Sequence, residues 1–195
     1  MADTWPRATT ILKDLGFIQD AFYFQEKHRR RGRYVDFWAN EIGMSGPGPD
    51  ADWYARSSGD PEQKDEIAHE ECRPYIDAYL KAKAEIGFTM THCAIEVRNS
   101  VCRYIGHIDQ VWERERCQPS LIDIKTGGES DWHKYQLALY QPAVMETLGL
   151  YTRRYNLYLT NDGKYRLVER KEHRDLSEAT ILAQAWHIMH GRNGK

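Results

Sequence analysis

The sequence has no apolar run near the roughly 20 residues that are needed to cross a bilayer. Its first residues, 1–16, lack the basic segment followed by an apolar stretch that is typical of a secretory signal. The formal net charge of −2 argues neither for nor against a nucleic-acid partner. We therefore expect a cytosolic protein with no membrane attachment.

The cysteine pattern of zinc and iron–sulfur sites is also missing. The chain has four cysteines, and no two of them are separated by only two residues. In a cytosolic protein such cysteines are expected to be reduced and mostly buried. They are Cys72, Cys93, Cys102 and Cys117.

The composition predicts one globular domain over residues 1–195, since 41% of the residues are apolar and 29% are charged. Its N-terminal part, about 1–90, is expected to be helical, and about 91–195 to form a sheet–helix core. Helical spacing predicts a short helix at Ile11–Leu15 and longer ones near 25–42, 62–86, 131–148 and 177–190. Strands are predicted at 93–98, 103–112 and 121–125, with a surface loop at 43–50 and a hairpin around 161–163. The predicted fold class is mixed α/β or α+β, with a central mixed sheet flanked by helices.

Two charged residues interrupt the apolar strand at 121–125. Asp123 and Lys125 alternate along it, so both side chains point to the same face. Asp109 interrupts the preceding strand, and it can approach Asp123 if the two strands pair as a hairpin. Neighbouring carboxylates repel unless one is protonated or a cation lies between them, and hard oxygen ligands suit Mg²⁺ or Mn²⁺. Glu96 is a third acid that could reach this pocket, and Lys125 could stabilise charge on a reacting phosphate. Exposed ion pairs or edge residues are the alternative interpretation.

The helix after this strand carries Gln136 and Tyr140 four residues apart, which places them on one face. That face would look back over the acidic strand ends if the helix packs across the sheet. Tyr140 could equally be an ordinary core residue. Pro142 removes a backbone donor and predicts a kink in the helix.

Three short motifs resemble those of a known family. They are "GHID" (Gly106–Asp109), "LIDIKTG" (Leu121–Gly127) and "YQLALY" (Tyr135–Tyr140), and they look like motifs of the PD-(D/E)XK nucleases. The subgroup most similar is the RecB-like one, which includes phage recombination exonucleases and CRISPR-associated adaptation nucleases. The resemblance is strongest over residues 93–145 and implies a restriction-endonuclease-like core.

The resemblance implies a DNA phosphodiesterase that requires Mg²⁺ or Mn²⁺. Asp109 and Asp123 would bind the metal, with the backbone carbonyl of Ile124 as a further ligand. Where many members of the subgroup carry an early histidine in a pattern like "RGxxVH", this chain has "RGRYVD" and therefore Asp36. Either Asp36 or His69 could replace that histidine as a metal ligand.

Other residues receive roles from the same resemblance. Lys125 would be the catalytic lysine, Gln136 and Tyr140 would shape the pocket or hold DNA, and Glu96 matches an acid that many members carry. The basic run at 27–33 is either a solvated helix face or a phosphate-binding patch. The resemblance favours DNA contacts from its arginines, which are Arg29, Arg30, Arg31 and Arg33.

The implied substrate is linear DNA, double- or single-stranded, cut by an exonuclease in recombination, repair or phage DNA processing. The compartment would be the cytoplasm of a bacterium or of a phage-infected host cell. A homo-oligomer or a recombination partner protein is compatible with the subgroup, although nothing in the sequence specifies a ring. Two alternatives stay open: a catalytically weak or inactive nuclease-fold module that binds DNA or protein, and a structure-specific endonuclease.

Overall fold

The computed structural model describes residues 5–18, 26–44 and 66–191. The helices in these ranges are α1 (Ala8–Asp14), α2 (Glu26–Met44), α3 (Glu66–Ile86), α4 (Trp132–Leu148) and α5 (His173–Gly191). The strands are β1 (Thr89–Asn99), β2 (Tyr104–Glu113), β3 (Ser120–Lys125), β4 (Arg153–Leu159) and β5 (Tyr165–Glu169).

The strands form one five-stranded mixed sheet in the order β1-β2-β3-β4-β5. The first three strands make an antiparallel meander, β3 and β4 run parallel, and β4 and β5 form an antiparallel hairpin. A parallel pair needs a long crossover, and α4 provides it between β3 and β4. The predicted fold class, a mixed α+β chain with helices flanking a mixed sheet, is confirmed.

Both faces of the sheet are covered by helices. One apolar cluster joins α1, α4 and α5 to the sheet, and the other joins α2 and α3 to the opposite face. Leu121 belongs to the first cluster and its neighbour Ile122 to the second, because adjacent strand residues point to opposite faces. Both are fully buried, and each such side chain contributes roughly 1.5–3 kcal/mol through the hydrophobic effect.

The elements follow the predicted order, with differences at their ends. Strand β1 begins at Thr89 and α5 at His173, each four residues earlier than predicted. The loop predicted at 43–50 begins later, since α2 continues to Met44, and the remainder of that loop lies outside the described residues. Helix α4 continues through Pro142. The boundaries of the predicted single domain stay a prediction.

The cysteines of the described ranges form no disulfide. All four thiols are free; two are buried, one is half-buried and Cys117 is exposed. The expectation of reduced thiols therefore agrees with the structure, but only half of them are fully buried. None of the helices within residues 5–18, 26–44 and 66–191 is both long and apolar enough to cross a membrane.

Candidate active site

The two strand acids meet where the pairing of β2 with β3 stops. The ladder runs as far as the pair Gln110–Ile122, and Asp109 and Asp123 are the next residues on the two strands. Beyond this pair, the backbone N–H of Ile124 donates to a side chain and not to a backbone carbonyl. Its acceptor is Oδ2 of Asp109, at 2.7 Å. The end of the ladder therefore brings a carboxylate from each strand to one place, as the hairpin hypothesis expected.

A hydrogen-bonded chain joins β3 to α4. The Lys125 ammonium donates to Oδ1 of Asp123 at 2.8 Å and to Oε1 of Gln136 at 3.0 Å. The Gln136 amide donates in turn to the Tyr140 hydroxyl at 2.9 Å. Burial raises the pKa of Tyr140, so this hydroxyl keeps its proton at neutral pH. The structure thus brings these four predicted residues together, with the Gln136/Tyr140 face of α4 turned toward the strand end.

A glycine lets α4 approach the sheet closely at this point. A Cβ atom on Gly106 would lie 2.7 Å from the ring of Tyr140, well inside van der Waals contact. The glycine of "GHID" is therefore required by the neighbouring aromatic ring, and the two motifs are in direct contact. Any side chain at Gly106 would displace Tyr140, and with it the Gln136–Lys125 chain.

Asp36 reaches the same acids from the opposite layer, on α2. Its Oδ1 atom is buried and has no hydrogen-bond partner within the described ranges. Burial, and secondly the charge of Asp123, raise the pKa of Asp36 to about 6. Burial also raises the pKa of Asp109 well above its ordinary value, followed by the charges of Asp36 and Asp123. The charge of Lys125 lowers both pKa values, but it does not offset the effect of burial and of the neighbouring carboxylates.

Two anchors hold α2 over the strand ends. The Arg31 guanidinium donates to the backbone carbonyl of Thr126 at 2.9 Å, which ties the helix to the residue after β3. Further along α2, the Gln110 amide donates to Oδ1 of Asn40 at 2.8 Å. Asp36 lies between the two anchors, so its position depends on both. Arg31, predicted as a DNA contact, has at least part of its bonding capacity used inside the protein.

A cleft of about 850 Å³ opens beside Lys125. Its walls come from the start of α2, the loop between β3 and α4, and the end of the α1 segment. Arg29 and Arg31 line it on the α2 side, whereas Arg30 and Arg33 are exposed or half-exposed elsewhere on that helix and are not part of its lining. Two aromatic side chains, Phe17 and Trp132, complete the wall. The cleft therefore joins three cationic side chains and aromatic surface at the lysine end of the acidic group, with Glu129 and Asp131 on its loop wall.

The donor set suits a hard cation that keeps part of its water shell. Within the described ranges no group of three or more His, Cys, Asp or Glu side chains is arranged to hold a metal ion. Two carboxylates with water and substrate oxygens match the ligand preference of Mg²⁺, which retains several waters in most protein sites. The unpartnered Oδ1 of Asp36 and the raised carboxyl pKa values fit a nearby cation. The residues present therefore fit Mg²⁺ or Mn²⁺ bound partly through water.

The comparisons with known proteins match solved structures only. No protein-family model and no curated protein sequence matches the chain. A candidate exonuclease from Eubacterium rectale matches with a TM-score of 0.55 and 12% identity, over 90% of this chain and 69% of that one. The chain has a nuclease-type fold. At such low identity the likeness extends to the fold alone.

Two further structures match with TM-scores below 0.5, too low to support an argument. LHK-Exo in complex with dAMP has a TM-score of 0.44 and 10% identity, over 97% of this chain and 89% of that one. The protein SSO0001 has a TM-score of 0.38 and 16% identity, over 93% and 84% of the two chains.

Glu96, the acid predicted on the strand before "GHID", lies on the edge strand β1. It pairs with His107 across β1 and β2, and its carboxylate approaches Arg98 at 3.4 Å and the His107 ring at 3.6 Å. Its side chain is 40% exposed, unlike the buried Asp123. The contacts of Glu96 in the described ranges are thus with His107 and Arg98, and its place in the pocket stays a prediction. The side chain of His69 lies outside the described residues.

Asn156, which was not predicted as a site residue, is fully buried beside Asp123. Its amide donates to Oδ2 of Asp123 at 2.7 Å, across the parallel pair of β3 and β4. The only signal is a polar residue among the tyrosines and leucines of β4. It can be linked to Asp123 only once the parallel register, which places the two residues side by side, is known.

Proposed function

We propose that the chain is a Mg²⁺- or Mn²⁺-dependent DNA nuclease of the PD-(D/E)XK superfamily, in its RecB-like and phage recombination exonuclease subgroup. One observation carries the proposal: half-buried Asp109 and buried Asp123 meet at a strand end with Lys125 beside them, next to a cleft lined by Arg29 and Arg31. The nuclease-type fold and the order of the three motifs support it.

The division of labour follows from the contacts. A bound Mg²⁺ or Mn²⁺ supplies Lewis acidity toward the phosphate and lowers the pKa of a bound water. Asp109 and Asp123 would hold the ion, with the Ile124 carbonyl as a further ligand and Asp36 close enough to add negative charge. Lys125 would turn from Asp123 toward the scissile phosphate and stabilise the charge that develops there.

Gln136 and Tyr140 support the lysine rather than the acids. The amide oxygen of Gln136 accepts from the Lys125 ammonium, and its amide nitrogen is fixed by the Tyr140 hydroxyl. These two hydrogen bonds limit the directions in which the Lys125 ammonium can point. A lysine that is held before substrate arrives loses less conformational freedom in the transition state.

The cleft supplies the argument for a nucleic-acid substrate. Arg29 and Arg31 line it close to Lys125, where their guanidinium groups would contact backbone phosphates. Aromatic faces such as those of Phe17 and Trp132 stack on bases of any sequence. Phosphate contacts combined with stacking fit a DNA end or a single strand, which favours an exonuclease.

The test is degradation of end-labelled linear DNA with Mg²⁺ or Mn²⁺. Asp123→Ala and Lys125→Ala should each lower the rate by roughly 100-fold or more, since each removes a group that acts on the reacting phosphate. Asp162→Asn, in the exposed turn of the β4–β5 hairpin, is the matched control and should cut normally. Equal rates for all four proteins would refute the proposal. Covalently closed circular DNA, tested in parallel, should resist an exonuclease and be cut by a structure-specific endonuclease.

A nuclease-fold module that binds DNA or protein without cutting is the second candidate function. Both carboxylate oxygens of Asp123 already accept hydrogen bonds, from Lys125 and from Asn156. The described ranges also lack a ready group of three metal-binding side chains. Calorimetric titration with Mn²⁺ separates the two functions, because a non-cutting module should show no binding that Asp109→Asn and Asp123→Asn remove.

A further inference from the structure

A series of hydrogen bonds connects Asp123 to Asn156, Arg170 and Glu129. The Asn156 side chain is fully buried, and its amide nitrogen donates to Oδ2 of Asp123 at 2.7 Å. Its amide oxygen accepts from Nε of Arg170, also at 2.7 Å. The Arg170 guanidinium then donates to the Tyr158 hydroxyl at 2.9 Å and to Oε1 of Glu129 at 2.7 Å. The chain ends in the loop that lines the cleft.

The chemistry of the three groups fixes the direction of every bond. A guanidinium has only donors and a carboxylate has only acceptors. The amide of Asn156 lies between them, so its oxygen must face Arg170 and its nitrogen must face Asp123. A flip of this amide would break both bonds inside the protein, at a cost of about 1–3 kcal/mol for each buried group left unsatisfied.

This arrangement gives the two oxygens of Asp123 different tasks. Oδ2 is held by Asn156, a neutral donor with no freedom to leave. Oδ1 is held by Lys125, whose side chain is 17% exposed and lines the cleft. Oδ1 is therefore the oxygen that can exchange its partner for a cation when the lysine turns toward phosphate.

We propose that Asn156 and Arg170 are positioning residues that orient the Asp123 carboxylate for metal binding. The inference rests on the proposed function and adds two residues to its site. Asn156 holds the carboxylate plane, and Arg170 holds Asn156. Through Glu129, Arg170 also fixes the cleft loop, so one side chain determines the geometry of both the acid and the cleft wall. Neither residue contacts the reacting atoms.

Binding of Mn²⁺ in the absence of DNA tests the proposal directly. Asn156→Leu preserves much of the volume and removes the donor, so it should weaken Mn²⁺ binding by roughly 10–100-fold, as loss of an outer partner of a ligand does. The matched control is Gln141→Leu, which removes another buried amide: Gln141 donates to the backbone carbonyl of Thr152 instead of to an acid of the site. Both variants should lose thermal stability, but only Asn156→Leu should lose Mn²⁺ affinity.

A second set of variants decides the same question if Asn156→Leu does not fold. Arg170→Leu should weaken Mn²⁺ binding, and Arg170→Lys, which keeps a charged donor, should restore part of it. Arg166→Leu is the control, since Arg166 donates to Glu129 at 2.8 Å and its side chain makes no bond to Asn156 in the described chain. Its Mn²⁺ affinity should equal that of the wild type.

The possible outcomes separate this inference from the proposed function. Wild-type affinity in Asn156→Leu or in Arg170→Leu overturns the positioning role while the nuclease proposal stands. A wild-type protein that binds no Mn²⁺ and degrades no DNA overturns both. Equal losses in the Gln141 and Asn156 variants would show a general effect of destabilisation, which also overturns the positioning role.

Discussion

Replacement of Asp36 by asparagine should stabilise the metal-free protein while it removes function. The change keeps the shape of the side chain and removes one negative charge from the acidic group. In the metal-free protein that charge is unfavourable, because Oδ1 of Asp36 is buried without a hydrogen-bond partner among the described residues. Burial, and secondly the charge of Asp123, raise the pKa of Asp36 to about 6 from an ordinary value of 3.8, although the charge of Lys125 acts in the opposite direction.

The magnitude follows from this shift of the pKa. About two units at 1.36 kcal/mol each give roughly 3 kcal/mol of destabilisation when Asp36 is ionised in the folded protein. Between pH 4 and 6 the folded state binds more protons than the unfolded state, so stability falls as pH rises through this window and is lowest above it. A buried asparagine amide without a full set of partners offsets part of the gain. Asp36→Asn should therefore raise the free energy of unfolding by roughly 1–3 kcal/mol at pH 7.5, and by little at pH 4.

Urea denaturation in EDTA at the two pH values measures this difference. Asp77→Asn is the control: Asp77 is exposed on α3, and its replacement should change stability by less than about 0.5 kcal/mol at either pH. The same Asp36→Asn protein should bind Mn²⁺ more weakly and cut DNA more slowly than the wild type. A variant that is no more stable than the wild type at pH 7.5, or equally stabilised at pH 4, would refute the electrostatic reasoning.

Three further perturbations test other parts of the site. Saturating Mn²⁺ should raise the melting temperature of the wild type more at pH 7.5 than at pH 5. The reason is that the raised pKa values of Asp36 and Asp109 favour their protonated forms at pH 5, and protons compete with the metal. A shift of the melting temperature that does not depend on pH would contradict this. Gly106→Ala should destabilise the fold by roughly 1–3 kcal/mol and slow DNA cleavage, since its Cβ would meet the Tyr140 ring at 2.7 Å. A variant that melts and cleaves like the wild type would show that the ring moves freely. Gln110→Leu should lower the free energy of unfolding by at least about 2 kcal/mol in urea denaturation, because it leaves the Tyr79 hydroxyl and the Trp112 ring N–H without their acceptor. A smaller loss would show that other acceptors replace Gln110.

Residues related by local periodicity were predictable from the sequence. Asp123 and Lys125 share a face because strands alternate, and Gln136 and Tyr140 share one because helices repeat after about four residues. These two rules account for the four side chains that are joined by hydrogen bonds between β3 and α4. The strand order was less accessible, yet the short connection between β2 and β3 favoured a hairpin and hence the meeting of Asp109 with Asp123.

Contacts that depend on non-local register were not predictable. Asn156 lies 33 positions after Asp123, and only the crossover through α4 places the two side by side. Glu96 depends on non-local register in the same way. The pairing of β1 with β2 places it opposite His107, two residues before Asp109, and its role as a third acid stays a prediction.

The site draws on five elements, since three others pack around the ends of β2 and β3. Asp36 comes from α2 on one face, Gln136 from α4 on the other, and Asn156 from a strand that is reached only through the crossover. Because burial is the largest cause of the raised pKa of Asp36, that pKa depends on α2 being packed onto the sheet. Two hydrogen bonds anchor α2, from Arg31 to Thr126 and from Gln110 to Asn40. They therefore help to determine the pKa of Asp36, although neither bond involves Asp36 itself. Loosening either anchor should bring the pKa of Asp36 back toward its ordinary value, which carbon-detected NMR of the carboxyl group can measure; a pKa that stays near 6 would show that α2 packs without it.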